Sequence, residues 1–157
     1  MSQSYAHILR QLAKDRPGAP ALTFEGETWT FAQLHARSSQ TANALKAAGV
    51  GVGDRVALLA KNCAECFELM FACNKIGAIL TGLNWRLSPA EIQSIVADAM
   101  PRVIITSPEE AHLLTPAVQQ QASVRHLITL GEHYQQWRLS ADDTDPRHEG
   151  APDEVAL

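Results

Sequence analysis

Between Arg55 and Leu130, short apolar runs alternate with segments whose apolar residues recur every three or four positions, and this alternation constrains the fold more than any other feature. Arg55 to Leu59, Ala78 to Leu83, Arg102 to Thr106 and His126 to Leu130 predict strands. Cys63 to Ile76, Pro89 to Ala99 and Glu109 to Gln121 predict helices between them. Strands separated by helices need crossover connections, so the expected class is α/β, with a largely parallel sheet and flanking helices. A chain of 157 residues, 46% apolar, can close one core but seldom two.

The region before Arg55 reads differently. Ser4 to Arg16 predicts a helix with Ile8, Leu9 and Leu12 on one side, ended by Pro17-Gly18. Ala21 to Phe24 and Thr28 to Thr30 flank Glu25-Gly26-Glu27, which predicts a short hairpin. Thr30 then opens a long helix. Its side chain can accept from the backbone of Gln33 while Gln33 answers in return, and Trp29 can staple against Leu34. Phe31, Leu34, Ser38, Thr41, Leu45 and Ala48 mark its inner stripe, and Gly49 its left-handed stop. Ser88-Pro89-Ala90-Glu91 repeats the reciprocal cap, with Leu87 facing Ile92.

Charge excludes several classes of function. The formal net charge is -4, and the acids cluster between Asp142 and Glu154; the remainder is close to neutral. That pattern has neither the basic stripe of a nucleic-acid binder nor a polybasic lipid patch. The longest stretch without a charged side chain, Ala111 to Val124, contains His112, Pro116 and three glutamines and cannot cross a membrane. With no leader-like segment at the N-terminus, a cytoplasmic location is expected. Cys63, Cys66 and Cys73 are expected to be reduced. At about 100° per residue they share one helical arc with Phe67 and Met70, and Glu65, Glu68 and Lys75 fall opposite, so the thiols are predicted to be core and chemically inert. Ser140 to Asp153 predicts a polar loop, after which Val155-Ala156-Leu157 resembles the start of a strand.

No common nucleotide or nucleophile motif stands in the right context. Gly49-Val50-Gly51-Val52-Gly53 follows a helix and opens a strand, the reverse of a dinucleotide fingerprint. The six histidines lack metal spacing, and His35 and His112 read as helix-surface residues; no metal ligand and no catalytic residue is predicted.

Several ordered motifs together carry a resemblance. Trp29 to Leu34, Gly53-Asp54-Arg55-Val56-Ala57, Asn62 with Glu65, Phe71-Ala72-Cys73-Asn74-Lys75-Ile76-Gly77-Ala78, and Asn84-Trp85-Arg86-Leu87-Ser88 with Glu91 resemble the N-terminal region of adenylate-forming acyl-CoA synthetases, of the fatty-acid and aryl-acid CoA ligase type. The resemblance implies an enzyme that uses ATP and Mg²⁺ to convert a carboxylic acid to an acyl-adenylate and then transfers the acyl group to CoA. It implies that residues 1–140 form the N-terminal α/β portion of the AMP-binding domain, and that 141–157 form an acidic loop leading into a continuation. The family's phosphate loop, ribose-binding carboxylate and C-terminal lysine have no counterpart here, so this chain alone is expected to be inactive.

One binding residue is carried over. The arginine of the Asn-x-Arg-Leu segment falls on Arg86, and the resemblance implies a place near the CoA nucleotide, where a planar guanidinium can grip a phosphate. It stands two residues before the helix cap Ser88, where an anion is favoured. The plainer alternative is that Arg86 shields Trp85. At the level of the whole chain the alternative is a free-standing, non-catalytic binding or regulatory module of the same fold; a nucleotide-dependent oxidoreductase lacks its glycine fingerprint. Self-association as a homo-oligomer stays open, because helix faces meant for further segments would be uncovered.

Overall fold

The computed structural model describes residues 4–148; the apolar run Val155-Ala156-Leu157 lies outside them. The chain begins with α1 (Tyr5–Asp15), then the hairpin strands β1 (Pro20–Phe24) and β2 (Glu27–Thr30), and the long helix α2 (Phe31–Ala47). The alternating region follows as β3 (Arg55–Leu59), α3 (Ala64–Asn74), β4 (Ile79–Leu83), α4 (Pro89–Ala99), β5 (Val103–Thr106), α5 (Pro116–Gln119), β6 (His126–Thr129) and α6 (Glu132–Leu139). β3 to β6 form one parallel sheet in the order β4-β3-β5-β6, and β1 pairs with β2 antiparallel. The predicted α/β class, with its hairpin, is the observed architecture.

Side-chain alternation on the central strands explains why helices cover both faces. Val56 and Leu58 of β3, with Val103 and Ile105 of β5, pack against Ala42 and Leu45 of α2, Leu69, Ala72 and Cys73 of α3, and Tyr134 of α6. Ala57, Leu59 and Ile104 point the other way and meet Ile92 and Val96 of α4 and Val118 of α5.

The local signals behave as the residues dictate. Glu25 (φ 49°) and Gly26 (φ 87°) both take positive φ, so the hairpin turns in the mirror-image sense that matches strand twist. Thr30 accepts from the Gln33 amide at 3.3 Å and Gln33 accepts from the Thr30 amide at 2.8 Å. Gly49 ends α2 at φ 83°.

Three expectations need correction, and one helix is additional. The helix predicted over Glu109–Gln121 is broken into a short 3-10 turn at Ala111–Leu113 and the four-residue α5, because Pro116 disfavours helical backbone at Thr115 and Thr115 becomes the cap of a new turn. α6 was not signalled by the sequence: its cap is Gly131, without a side chain. On α3, Glu68 and Lys75 are fully buried, whereas Phe67 is 48% exposed. Cys73 is in the core, but Cys63 and Cys66 are only half-buried, at the start of the helix.

Burial of Glu68 is tolerated because it is fully partnered. Its carboxylate accepts from Thr41 Oγ1 and Tyr134 Oη, both at 2.6 Å, and from Arg37 Nε at 2.7 Å, with Arg138 Nε at 3.7 Å. Arg37 also lies 3.9 Å from the centre of the Trp29 ring, which links the hairpin to the same cluster. Burial first, then the neighbouring Glu68 charge, holds the Tyr134 hydroxyl well above its ordinary range, so it stays a donor. Glu68→Ala strands two arginines and a buried tyrosine and is expected to cost about 3–5 kcal/mol, against about 1 kcal/mol for removing the α2 cap in Thr30→Ala. Urea unfolding of the two variants checks the order; equal losses would contradict it.

Candidate functional site

In an open parallel sheet, ligands meet the carboxyl ends of the strands, beside the point where the chain reverses its direction of winding. Here β3 is followed by β4 on one side and β5 is added on the other, so that point lies between β3 and β5. The loops there are Ala60 to Cys63 after β3, Asn84 to Leu87 after β4, Ser107 to Glu110 after β5, and Leu130-Gly131 after β6.

Arg86 is exposed in the β4 loop. Asn84 Oδ1 accepts from the Arg86 amide at 3.0 Å, which fixes the turn. The Arg86 guanidinium lies 4.2 Å from the centre of the half-buried Trp85 ring, and Lys61 Nζ lies 4.9 Å from the same ring. Among the described residues, no carboxylate comes within ion-pair distance of Arg86. Lys61 Nζ is 3.6 Å from Glu110 Oε1, and that carboxylate also accepts from Ser107 Oγ. Sequence spacing gave no hint of Lys61, Ser107 or Glu110, because only the pairing of β3 with β4 and β5 brings their loops together. The helix start beside Arg86 is already satisfied: the Glu91 carboxylate accepts from Ser88 N at 2.8 Å and Ser88 Oγ at 2.7 Å, and this hydrogen bonding holds its carboxyl below the usual range. The anion favoured at that terminus is thus supplied internally, so the helix start gives Arg86 no added reason to meet a ligand.

The other half of the carboxyl edge is acidic. A cleft of about 440 Å³ opens between the hairpin and the ends of β3, β5 and β6; its walls include Glu25, Glu27, Glu65 and Glu109, with Trp29 and Cys63. The glycine-rich segment is remote from this edge and is not a phosphate cradle. The Gly51 amide donates to Asp54 Oδ2 at 2.8 Å and the Gly53 amide to the Gly77 carbonyl at 2.8 Å, so these glycine amides are already engaged. Among the described residues, no group of three or more His, Cys, Asp or Glu side chains is placed together to hold a metal ion. No helix among them is long and apolar enough to cross a membrane.

The sequence profile of the family described as AMP-binding enzyme matches residues 9–157. The chain belongs to this family. Among curated relatives it is 39% identical to the fatty acid–[acyl-carrier-protein] ligase ScoC of Streptomyces coeruleorubidus over 144 residues, 90% of this chain but 27% of the relative. It therefore spans about a quarter of that relative's length. Among solved structures, a Mycobacterium tuberculosis fatty acyl CoA synthetase superposes with a TM-score of 0.87 at 29% identity, over 96% of this chain and 31% of that one. The anthranilate CoA ligase AuaEII, solved with anthranoyl-AMP, gives a TM-score of 0.90 at 27% identity over 97% of this chain and 30% of its own.

In this member of the family the most perturbed amine is not at the carboxyl edge. Lys75 lies at the end of α3, fully buried, and its Nζ meets Ser39 Oγ at 2.7 Å, the His35 carbonyl at 2.9 Å and His35 Nδ1 at 3.1 Å. His35 is accordingly a half-buried partner rather than an ordinary surface residue; burial, and then Lys75, push its pKa down. The predicted polar loop is in fact tied back here. Asp145 pairs with Arg10 of α1, Asn43 of α2 donates to the Asp142 and Thr144 carbonyls at 3.0 and 2.8 Å, and the His148 amide donates to the Lys75 carbonyl at 3.2 Å. Burial alone would raise the Asp145 carboxyl, but the Arg10 hydrogen bonds hold it low, so it stays charged near Lys75.

Burial pushes the Lys75 amine down to about 7 from 10.5, with Asp145 opposing and Arg10 adding to the shift. A base with a depressed folded-state pKa is stabilised above its unfolded value, and that stability is lost as pH falls through the folded value. Between pH 7 and 9 the wild-type unfolding free energy is therefore expected to rise relative to Lys75→Met, by an amount on the order of 1–3 kcal/mol. Parallel urea titrations of the two proteins read the difference, and a constant gap across that range would contradict the assignment.

Proposed function

We propose that this chain is the N-terminal portion of an acid–thiol ligase, with residues 1–140 as the first part of its AMP-binding domain. In this reading a carboxylate, with a fatty acid favoured, attacks the α-phosphate of ATP and expels pyrophosphate. A thiol then attacks the acyl-adenylate carbonyl and AMP leaves. Magnesium supplies charge neutralisation at the phosphates when bound. Fatty-acid and aryl-acid ligases among the relatives support the acid class.

The observation that carries a role for this chain's own residues is the Arg86–Trp85–Lys61 cluster: two cations held against one ring at the carboxyl edge of the sheet, with Arg86 free of a carboxylate among the described residues. Trp85 gives the exposed guanidinium a ring to rest against, and the planar fork of a guanidinium can present paired donors to a phosphate of CoA. Lys61, half-neutralised by Glu110, adds positive field without closing the site. The ligase of Streptomyces coeruleorubidus favours a second reading, in which the thiol belongs to an acyl carrier protein.

In the intact enzyme, Arg86→Ala is expected to raise the KM for CoA roughly two- to tenfold, as befits an exposed charge contact, and to leave acid-dependent pyrophosphate release unchanged. An unchanged KM for CoA with efficient transfer to a carrier protein would favour the second reading; an equal loss in the adenylation half-reaction would sink the assignment of Arg86. The 157-residue chain by itself, given fatty acid, ATP and Mg²⁺, is expected to release no pyrophosphate, since it spans only about a quarter of the ligase relative it matches and carries no counterpart of the family's phosphate loop. Acid-dependent release from that chain would overturn this.

A further inference from the structure

The turn from β3 into α3 carries a pair of groups that the ligase reading does not use. Cys63 is the N-cap of α3 and Cys66 its third residue, so both thiols stand on the first turn of the helix with Sγ atoms 3.4 Å apart. Both are half-buried, and Cys63 also lines the 440 Å³ cleft; Cys73, deeper on the same helix, is sealed in the core.

Three features separate this pair from ordinary packing. An N-cap is normally filled by a residue whose oxygen accepts from the helix amides, yet Cys63 makes no such bond, and its thiol faces Cys66 instead. Its backbone is extended (φ −147°, ψ 167°), outside the helical path, so its side chain can turn toward Cys66 without breaking the ladder. The unpaired amides of a helix N-terminus favour a thiolate. The Cys63 thiol as donor, despite opposition from burial and Glu65, pushes the Cys66 thiol down to about 6, while the same sharing of a proton raises Cys63.

We propose that Cys63 and Cys66 are a redox-active dithiol that exchanges with low-molecular-weight disulfides and closes to an intramolecular disulfide at the start of α3. The Cys66 thiolate attacks one sulfur of glutathione disulfide, the S–S bond breaks, and one glutathione leaves as a thiolate that takes up a proton. Cys63 then loses its proton and attacks the Cys66 sulfur, releasing the second glutathione. The protein loses two electrons and two protons, and glutathione disulfide is reduced to two thiols. Closing the bond needs the sulfurs to approach from 3.4 Å to about 2.05 Å, a movement that side-chain rotation at the N-cap can supply. The site stands apart from the ligase reading, because neither cysteine is assigned to acid, nucleotide or CoA.

The test equilibrates the folded full-length chain at pH 7 with graded ratios of reduced and oxidised glutathione, followed by acid quenching, alkylation and peptide mass mapping. The expected product is a single species two hydrogens lighter, with Cys63 and Cys66 blocked and Cys73 still alkylated after unfolding. C63S is expected to keep a stable glutathione adduct on Cys66, which the wild type resolves by attack of Cys63. The proposal is overturned if the wild type accumulates stable glutathione adducts, stays reduced at every ratio, or closes the disulfide only in urea.

Discussion

The buried carboxylate of Glu68 is the constraint on which the arrangement of helices depends. A carboxylate removed from water must be compensated by several donors at once, and those donors come from two other helices: Arg37 and Thr41 from α2 and Tyr134 from α6, with the Arg138 charge of α6 at 3.7 Å. Apolar contacts between three helices tolerate sliding; bonds near 2.6 Å converging on one group do not. Lys75, two turns further along α3, repeats the device with His35 and Ser39 of α2. One helix is thus pinned to its neighbour at two depths, once by a buried acid and once by a buried base. The net worth of such groups against an apolar core is small or negative, so their contribution is to define one packing register rather than to add stability.

That register has consequences at both ends of α3. Its first turn presents Cys63 and Cys66 at the cleft, and its last turn leads through Gly77, at φ 70°, into β4 and so to the loop that holds Trp85 and Arg86. The strap formed by Asp142 to His148 closes over the Lys75 end and joins α1 and α2 to the same unit. The two ends of the helix are therefore set by the same buried groups, Glu68 within it and Lys75 at its C-terminal cap.

What the sequence made legible is whatever is written locally. Reciprocal caps at Thr30–Gln33 and Ser88–Glu91, the stop at Gly49, the hairpin around Glu25-Gly26 and the apolar strands all depend on residues within a few positions of one another, and all lie within a residue or two of where the pattern puts them. The misplacements share the opposite cause. A helical wheel assigns Glu68 and Lys75 outward because it prices each polar residue alone, and their partners lie 27 to 66 and 36 to 40 positions away. α6 was missed because its inner residues, Tyr134 and Arg138, include a charge and follow an uncapped glycine. The break at Pro116 was readable in principle, and the periodicity around it masked it.

The carboxyl edge of the sheet divides by charge in a way that composition averages out. A phosphate approaching the carboxyl ends of the strands meets Arg86 and Lys61 beside Trp85 on one side and four glutamates around the cleft on the other. The local field steers an anion toward β4 and away from the point between β3 and β5, even though that point is the usual site for a ligand in such a sheet. Glu110 sharpens the division, since it pairs with Lys61 and leaves the Arg86 guanidinium as the cation without a carboxylate partner among the described residues. The same acidic surroundings act on the dithiol: Glu65 opposes the thiolate that Cys63 and the helix terminus favour. An anionic disulfide such as glutathione must therefore reach Cys66 from the solvent side of α3 rather than through the cleft, and the half-exposed position of Cys66 at the first turn provides that approach.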